Sequence, residues 1–453
     1  MQNEINSGTL STDLSTKKII SLLQNNVVTI LFLVVVTFGI FATANFSPSS
    51  FTNEITSRFF RNGLLVLSLI IPVMAGLGLN FGIVVGALAG MLAIIFVRYH
   101  EIPGIGGLML CFLLSTPVAV LFGFLTGKLY NKTKGQEMIS SLIVGFFAQG
   151  LYLIIVLYVI GGIIPVAQNH PMILPTTGDR PVGVRSSFDM GLPLSEMRVI
   201  PEGTRDGMSR SLDGLWRVNI MHALIAFAAI MLIILITRRF FFIKNQAAIK
   251  TPAWMFFLRC AFYTALLGFG IYGSVSPGRE ISRLQQIPAI TGLVILAVCL
   301  FITYFTKTKL GQDCRSVGQS QHIANAAGIN VNRTRIVATI ISTVLAAWGM
   351  IIFLQSMGTV STYNAQQNIG LFSVAALLVG GASVAKAGVR NAMLGLVLFH
   401  AMFIVSPAIG RFLSNNELVG EYVRSFMVYA VIGLSLGLHV WKNLKASQEQ
   451  NKL

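Results

Sequence analysis

Gly311–Arg335 reads GQDCRSVGQSQHIANAAGINVNRTR. It is a polar, basic loop between two long apolar segments, Pro288–Phe305 and Ile336–Gln355. No other part of the chain combines this length and charge with a helix of its own between two candidate membrane spans. Ser320 is placed to cap a short helix through Ala327, and Gly328 to end it in the left-handed conformation that favours glycine. The small side chains of Ala324, Ala326 and Ala327 predict a helix on which another protein packs closely. An ordinary solvated connector is the plainer alternative, and composition alone leaves both open.

The apolar segments on either side set the fold class. The chain has 453 residues, 54% of them hydrophobic and 11% charged, with a mean hydropathy of +0.74. A soluble chain of this length would form two or three domains; this composition is that of an integral membrane protein. Ten apolar segments join the two above: Val27–Ala44, Gly63–Leu79, Phe81–Val97, Gly107–Gly127, Ile139–Ile164, Asn219–Thr237, Phe256–Gly273, Gly370–Ala385, Asn391–Gly410 and Arg424–Trp441. The predicted fold is therefore all-α, a polytopic transmembrane helix bundle of about ten full spans, since a crossing takes roughly 20 residues. Gly370–Ala385 is expected to be a partial helix. Ala42-Thr43-Ala44 looks like a signal-peptide cleavage site, but the run before it is longer than a signal core, so it reads as a retained first span. The chain divides into an N-terminal segment (1–26, with Lys17 and Lys18), a transmembrane domain (27–441) and a C-terminal tail (442–453). Within the domain lie a long loop insertion (165–218) and the polar loop (306–335).

Charge orients the bundle. With the N-terminus inside, the cytoplasmic pieces carry 19 Lys and Arg against 7 on the short external pieces, which puts both termini and the Gly311–Arg335 loop in the cytoplasm. The net charge of +17 sits mostly in these short loops, without aromatic residues interleaved, so nucleic acid is not a partner. Of 16 acidic residues, 11 fall on external pieces, and Glu137 alone stands at the cytoplasmic mouth of a span. Lack of a carboxylate within the membrane argues against a proton- or ion-driven carrier, although sodium sites built from carbonyls and hydroxyls stay open. The Pro165–Arg217 stretch, rich in Pro, Gly and charge with little periodicity, is read either as a docking surface or lid for an extracellular partner or as a variable hairpin-like loop.

Several fragments carry no catalytic chemistry. Gly127-Lys128 is not a P-loop, because Leu129 replaces the required Ser or Thr and the first glycine is missing. His100-Glu101 lacks the second histidine of a zinc protease, since Gly104 stands there. The four cysteines (Cys111, Cys260, Cys299, Cys314) form no CxxC pair and no metal site is indicated. An enzyme is not expected. Asn80, Gln149, Gln355 and His400 are the main polar side chains within apolar runs. Each is a candidate to line a translocation path, the alternative being an interhelical hydrogen bond worth about 0.6 kcal/mol. Gly78, Gly82, Gly86 and Gly90 recur every four residues and predict one smooth helix face for close packing. Gly123/Gly127, Gly433/Gly437 and Gly380/Gly381 are further small-residue pairs read as helix packing.

The run Gly311-x-x-x-Arg315-x-Val317-Gly318 … Ala324-x-x-Ala327-Gly328-Ile329-x-Val331-x-Arg333 resembles the cytoplasmic loop of ABC-importer permeases of the sugar, nucleoside and branched-chain amino acid class. Leu377-Leu378-Val379-Gly380-Gly381-Ala382-Ser383, Gly388 and Gly395 are similar to that family's Gly-Gly-x-Ser … Gly pattern. Together these cover the C-terminal third; the rest matches through hydropathy and short fragments. Asn80 stands near the family's expected Asp, but Phe81-Gly82 replace its Leu-Ser pair. Glu137-Met138-Ile139-Ser140-Ser141-Leu142 resembles a segment of nucleoside-type members. The resemblance implies a permease subunit of a bacterial ABC importer in the cytoplasmic membrane, moving a small polar solute, a simple sugar or a nucleoside. It implies a coupling helix at Ser320–Ala327 and partners: ATP-binding subunits that hold ATP and Mg, a second permease or a copy of this chain, an extracellular substrate-binding protein, and membrane lipid. No cofactor is expected in this chain. The rival reading is an ion-gradient-driven secondary transporter using the same spans.

Overall fold

A computed structural model describes residues 27–42, 48–160, 162–164, 172, 184–191, 207–244, 253–275, 286–366, 368–414 and 416–450. The segment 1–26, and His170-Pro171 and Thr176–Pro181 of the long loop, lie outside the described residues. The first half of the chain holds α1 (Val27–Ala42), α2 (Pro48–Ser68), α3 (Ile70–Met74), α4 (Ile83–Tyr99), α5 (Gly104–Lys132) and α6 (Glu137–Ile154, ending in a π turn Ile155–Val159). Then come β1 (Ser187–Asp189), α7 (Ser211–Leu215), β2 (Arg217–Asn219), α8 (Ile220–Lys244), α9 (Ala253–Val275) and β3 (Gln286–Pro288). The last third holds α10 (Ala289–Phe305), α11 (Lys309–Gln319), α12 (Gln321–Ala326), α13 (Val331–Met357), β4 (Thr359–Ser361), α14 (Ile369–Val379), α15 (Val389–Ser414) and α16 (Glu417–Gln450).

Each of the twelve apolar segments contains a helix, the structure whose backbone polar groups bond one another in lipid, where no water can. Among the described residues, seven helices are long and apolar enough to cross a membrane, or eight if the bent α10–α11 pair is one span. Three shorter apolar helices stand with them, including α14, the partial helix of the Gly370–Ala385 run. Outward faces are apolar: Phe146 and Phe147 on α6 are 71% and 72% exposed, far beyond what a soluble surface carries. The chain is an all-α polytopic membrane bundle. Its last helix runs past Trp441 to Gln450, so the tail continues α16 and does not break from it.

The core forms around α13. Ala338, Ala346, Ala347, Met350, Ile351 and Ile352 are all fully buried on it. In lipid a helix gains little by hiding an apolar side chain from its neighbours, so helices associate through close packing, which small residues permit. Gly90 of α4 would, with a Cβ, stand 2.6 Å from Ala347 O, and Gly86 would meet Thr343 O. On the other flank, a Cβ on Gly123 of α5 would lie 2.8 Å from Ile340 Cα, and one on Gly127 3.0 Å from Ile336 Cα. The glycine ladder, however, is not one helix face. Gly78 has φ +67 in the turn before α4, and Gly82 is the residue that precedes its first turn. Four-residue spacing does not reveal that the helix starts at Ile83. Gly433 and Gly437 have open space beside them, so no described residue packs on that face of α16.

The described parts of the long loop are tied to the bundle. β1 pairs antiparallel with β4, Phe188 opposite Val360, and Phe188, Met190, Met208 and Leu212 are buried. Arg210 N donates to Gln355 O at 2.8 Å, and Tyr152 OH donates to Thr362 O at 3.0 Å. These bonds fasten the loop over the C-terminal end of α13. A second clip, β2 with β3, ties α8 to the start of α10. Gly90→Ala forces backbone apart and should cost about 1–3 kcal/mol, the usual range for overpacking. Gly433→Ala should leave stability unchanged; melting of the purified protein in detergent compares the two.

Candidate functional site

At the end of the bundle opposite β1 and β4, α10 bends through 72° into α11. Gly311 permits the bend, since a Cβ there would run into Phe305 O, and the Thr308 side chain caps α11 by accepting from Gly311 N at 3.3 Å. Sequence reading leaves this stretch as loop; the Thr308 cap and the inward spacing of Cys314 and Val317 are the signal for the helix. Burial, with the Asp313 carboxylate beside it, pushes the Cys314 thiol up to about 12, so it is a packing residue and no nucleophile. Arg315 is exposed. Gly318 lies against the backbone of Met74 and Gly76, so α11 rests directly on the break between α3 and α4.

The short helix α12 follows at once. Ser320 Oγ accepts from Ile323 N at 3.3 Å, Ala327 ends the helix and Gly328 takes φ +79. Its inner face is fixed: Ala324 packs with Val317 and Val331, with Ile329 alongside. Ala324 therefore does not offer itself to another protein, because its own loop covers it. The free face carries His322, Asn325, Ala326 and Ala327, with Ile323 73% exposed. Beside it runs a polar groove of about 680 Å³ lined by Lys134, His322, Asn325, Asn330 and Asn332.

Asn330 then caps α13 by accepting from Arg333 N at 3.0 Å. One turn on, Arg335 is fully buried. Its guanidinium pairs with Glu137 at the start of α6 and donates to Tyr130 O of α5 at 3.3 Å. This pair joins three helices at the base of the loop. Both residues are visible in the sequence as charges at span mouths, but nothing local assigns them to each other. Arg333 is exposed.

The four polar residues considered for a path do not come together. Asn80 Oδ1 accepts from Gly82 N at 3.0 Å and from Tyr130 OH at 2.9 Å, while Phe81 N donates to Ser141 Oγ at 3.1 Å. Asn80 thus satisfies the non-helical backbone ahead of α4, which is tolerable at membrane depth only where protein bonds it. Gln149 is half-buried on the outward side of α6, near Phe146 and Phe147. Gln355 is fully buried near the C-terminal end of α13 with neither amide atom hydrogen-bonded. His400, 7% exposed on α15, has an unpartnered Nδ1 and faces a cavity of about 200 Å³. At Gly380 the ends of α14 and α15 meet backbone to backbone, a Cβ there running into Asn391 O, and Asn391 Nδ2 donates to Gly380 O at 2.9 Å. Gly381, with φ +83, sits in the turn after α14.

A family model described as branched-chain amino acid transport system / permease component matches residues 51–436. Among curated proteins, the chain is 27% identical over 167 residues to the nucleoside ABC transporter permease protein NupB of Lactococcus lactis, covering 35% of this chain and 43% of that protein. It is 28% identical over 166 residues to the probable ABC transporter permease protein YphD of Escherichia coli, covering 37% and 47%. To the xylose transport system permease protein XylH of Haemophilus influenzae it is 31% identical over 151 residues, 33% and 37%. The matched part spans less than half the length of each of these relatives. No solved structure matches the chain.

Removing one partner of the buried pair, by Arg335→Met or Glu137→Gln, should destabilise the protein by about 3–5 kcal/mol, because a charge is left buried alone. Arg335→Met with Glu137→Leu should recover much of that loss. Thermal melts of all three purified variants in one detergent read the difference.

Proposed function

This chain belongs to the branched-chain amino acid transport system / permease component family, and from that premise we propose that it is the membrane-spanning subunit of a bacterial ABC importer. It would move a small polar solute, a simple sugar or a nucleoside, as its relatives' names suggest. Partner subunits would bind ATP and Mg; a second permease, or another copy of this chain, would complete the path. A binding protein would deliver the solute to the end that carries β1 and β4. The excess of Lys and Arg at the α11–α12 end supports a cytoplasmic position for that end.

The observation that carries this reading is the build of α12. It is a capped helix with an inner face anchored by Ala324 and an outer face left free. Only residues 327–330 separate it from α13, the central helix of the bundle. A subunit that seizes the free face moves α13 at its root. Through Gly318, the same movement reaches the break at Met74–Gly76. Asn80, Gly78 and Gly82 take part as the structure of that break, and no solute contact is assigned to them.

The test is co-purification with the ATP-binding subunit encoded beside this chain. Wild type should retain that subunit in detergent. Ile323→Glu, which puts a charge on the free face of α12, should lose it at least tenfold while the permease stays monodisperse. A wild type that binds no ATPase would overturn the reading and favour a gradient-driven carrier.

A further inference from the structure

The geometry points to a solute site within a single subunit: the cavity floored by His400 takes one small, neutral, hydroxyl-bearing ring, for which a pentose, free or as the sugar of a nucleoside, is the probe. The cavity of about 200 Å³ is lined by Asn62 of α2, Phe353 of α13, Asn364 and Asn368 before α14, Ser373 of α14 and His400 of α15. Its volume suits one small ring and excludes a larger solute from lying wholly inside. Asn364 and Asn368 are exposed at the mouth, while Ser373 and His400 are 5% and 7% exposed at depth. The pocket therefore has an entrance and a floor, with polar groups at both.

Three features choose the chemistry. First, His400 Nδ1 is buried with no hydrogen-bond partner, and a buried polar atom is costly to leave unbonded. A hydroxyl, which both donates and accepts, satisfies it in either tautomer. Second, the start of α14 lines the pocket through Asn368, just before the helix, and through Ile369 and Phe372 of its first turn, with Ser373 next to them; a helix start carries positive partial charge that favours oxygen acceptors. Third, the nearby charge is cationic. Arg61 lies over the Phe353 ring, Cζ 5.4 Å from its centroid, and its buried Nε has no hydrogen-bond partner. Among the described residues no carboxylate lines the cavity, and the nearby Glu54 is paired with Arg58, so a cationic solute finds no counter-ion there. Phe353 on one side and Phe372 on another supply apolar walls, against which the C–H face of a sugar ring packs. Few convergent polar groups on apolar walls is the usual make-up of a small-molecule site.

This inference rests on the transport reading for its purpose but not for its test, because binding needs no ATPase. Full-length chain in nanodiscs is titrated with radiolabelled ribose, with radiolabelled uridine and with lysine as the cationic control. At least one of the pentose-bearing probes should bind saturably, and which one does so separates free sugar from nucleoside. Lysine should not bind. His400→Leu, and independently Ser373→Leu at another wall, should each weaken binding at least tenfold, while His400→Gln, which keeps a hydrogen-bonding group, stays within about threefold of wild type. Absence of binding by wild type to both pentose probes overturns the site, as does wild-type affinity in both leucine variants. If α12 retains the ATPase while the pocket binds nothing, only the pocket is lost. If the pocket binds and no ATPase is retained, only the importer reading is lost.

Discussion

Close backbone contact around α13 is the constraint on which the rest of this protein depends. Lipid offers a helix nearly the same apolar company as a neighbouring helix does, so burial of leucines cannot by itself hold one helix at the centre. What holds it is distance: Gly86 and Gly90 on one side, Gly123 and Gly127 on the other, bring two helices within reach of α13's own main chain. Dispersion falls off steeply with separation, so these four positions concentrate the packing of α4 and α5 on α13.

The central helix then joins two structures that are far apart. It spans 27 residues, about 40 Å at the usual helical rise. Its N-terminal end grows out of the α12 turn and is held by the Arg335–Glu137 pair. Its C-terminal end runs into β4 and is tied to the long loop by the β1 pairing and the bond from Arg210 to Gln355. A long helix gripped along its length moves as a unit, so a displacement at one end is expressed at the other. The cavity beside Phe353 lies along that route, bounded by α13, α14, α15 and α2.

Much of this was readable in the sequence where the cause is local. Hydropathy located the helices, because lipid requires long apolar runs. The Ser320 cap and the Gly328 stop were readable because both depend on neighbours within a turn. The features that escaped depend on distant partners. Ala324 has the same side chain whether it faces a partner or its own loop, and only Val317 and Val331 decide. Arg335 and Glu137 are separated by most of the chain's middle. β1 is three residues long and takes its register from β4, so its own sequence carries almost no strand signal. The glycine ladder misled for a related reason: Gly78 and Gly82 serve a turn and Gly86 and Gly90 serve a contact, and one residue type answers both needs.

The glycine-lined seat for α13 also has a history within each molecule's synthesis. α4 and α5 leave the ribosome long before α13 does, and the α8–α9 hairpin is made in between. α13 is therefore made only after both walls of its seat, α4 and α5, already exist. The order of translation thus makes the last third of the chain the step that completes the first.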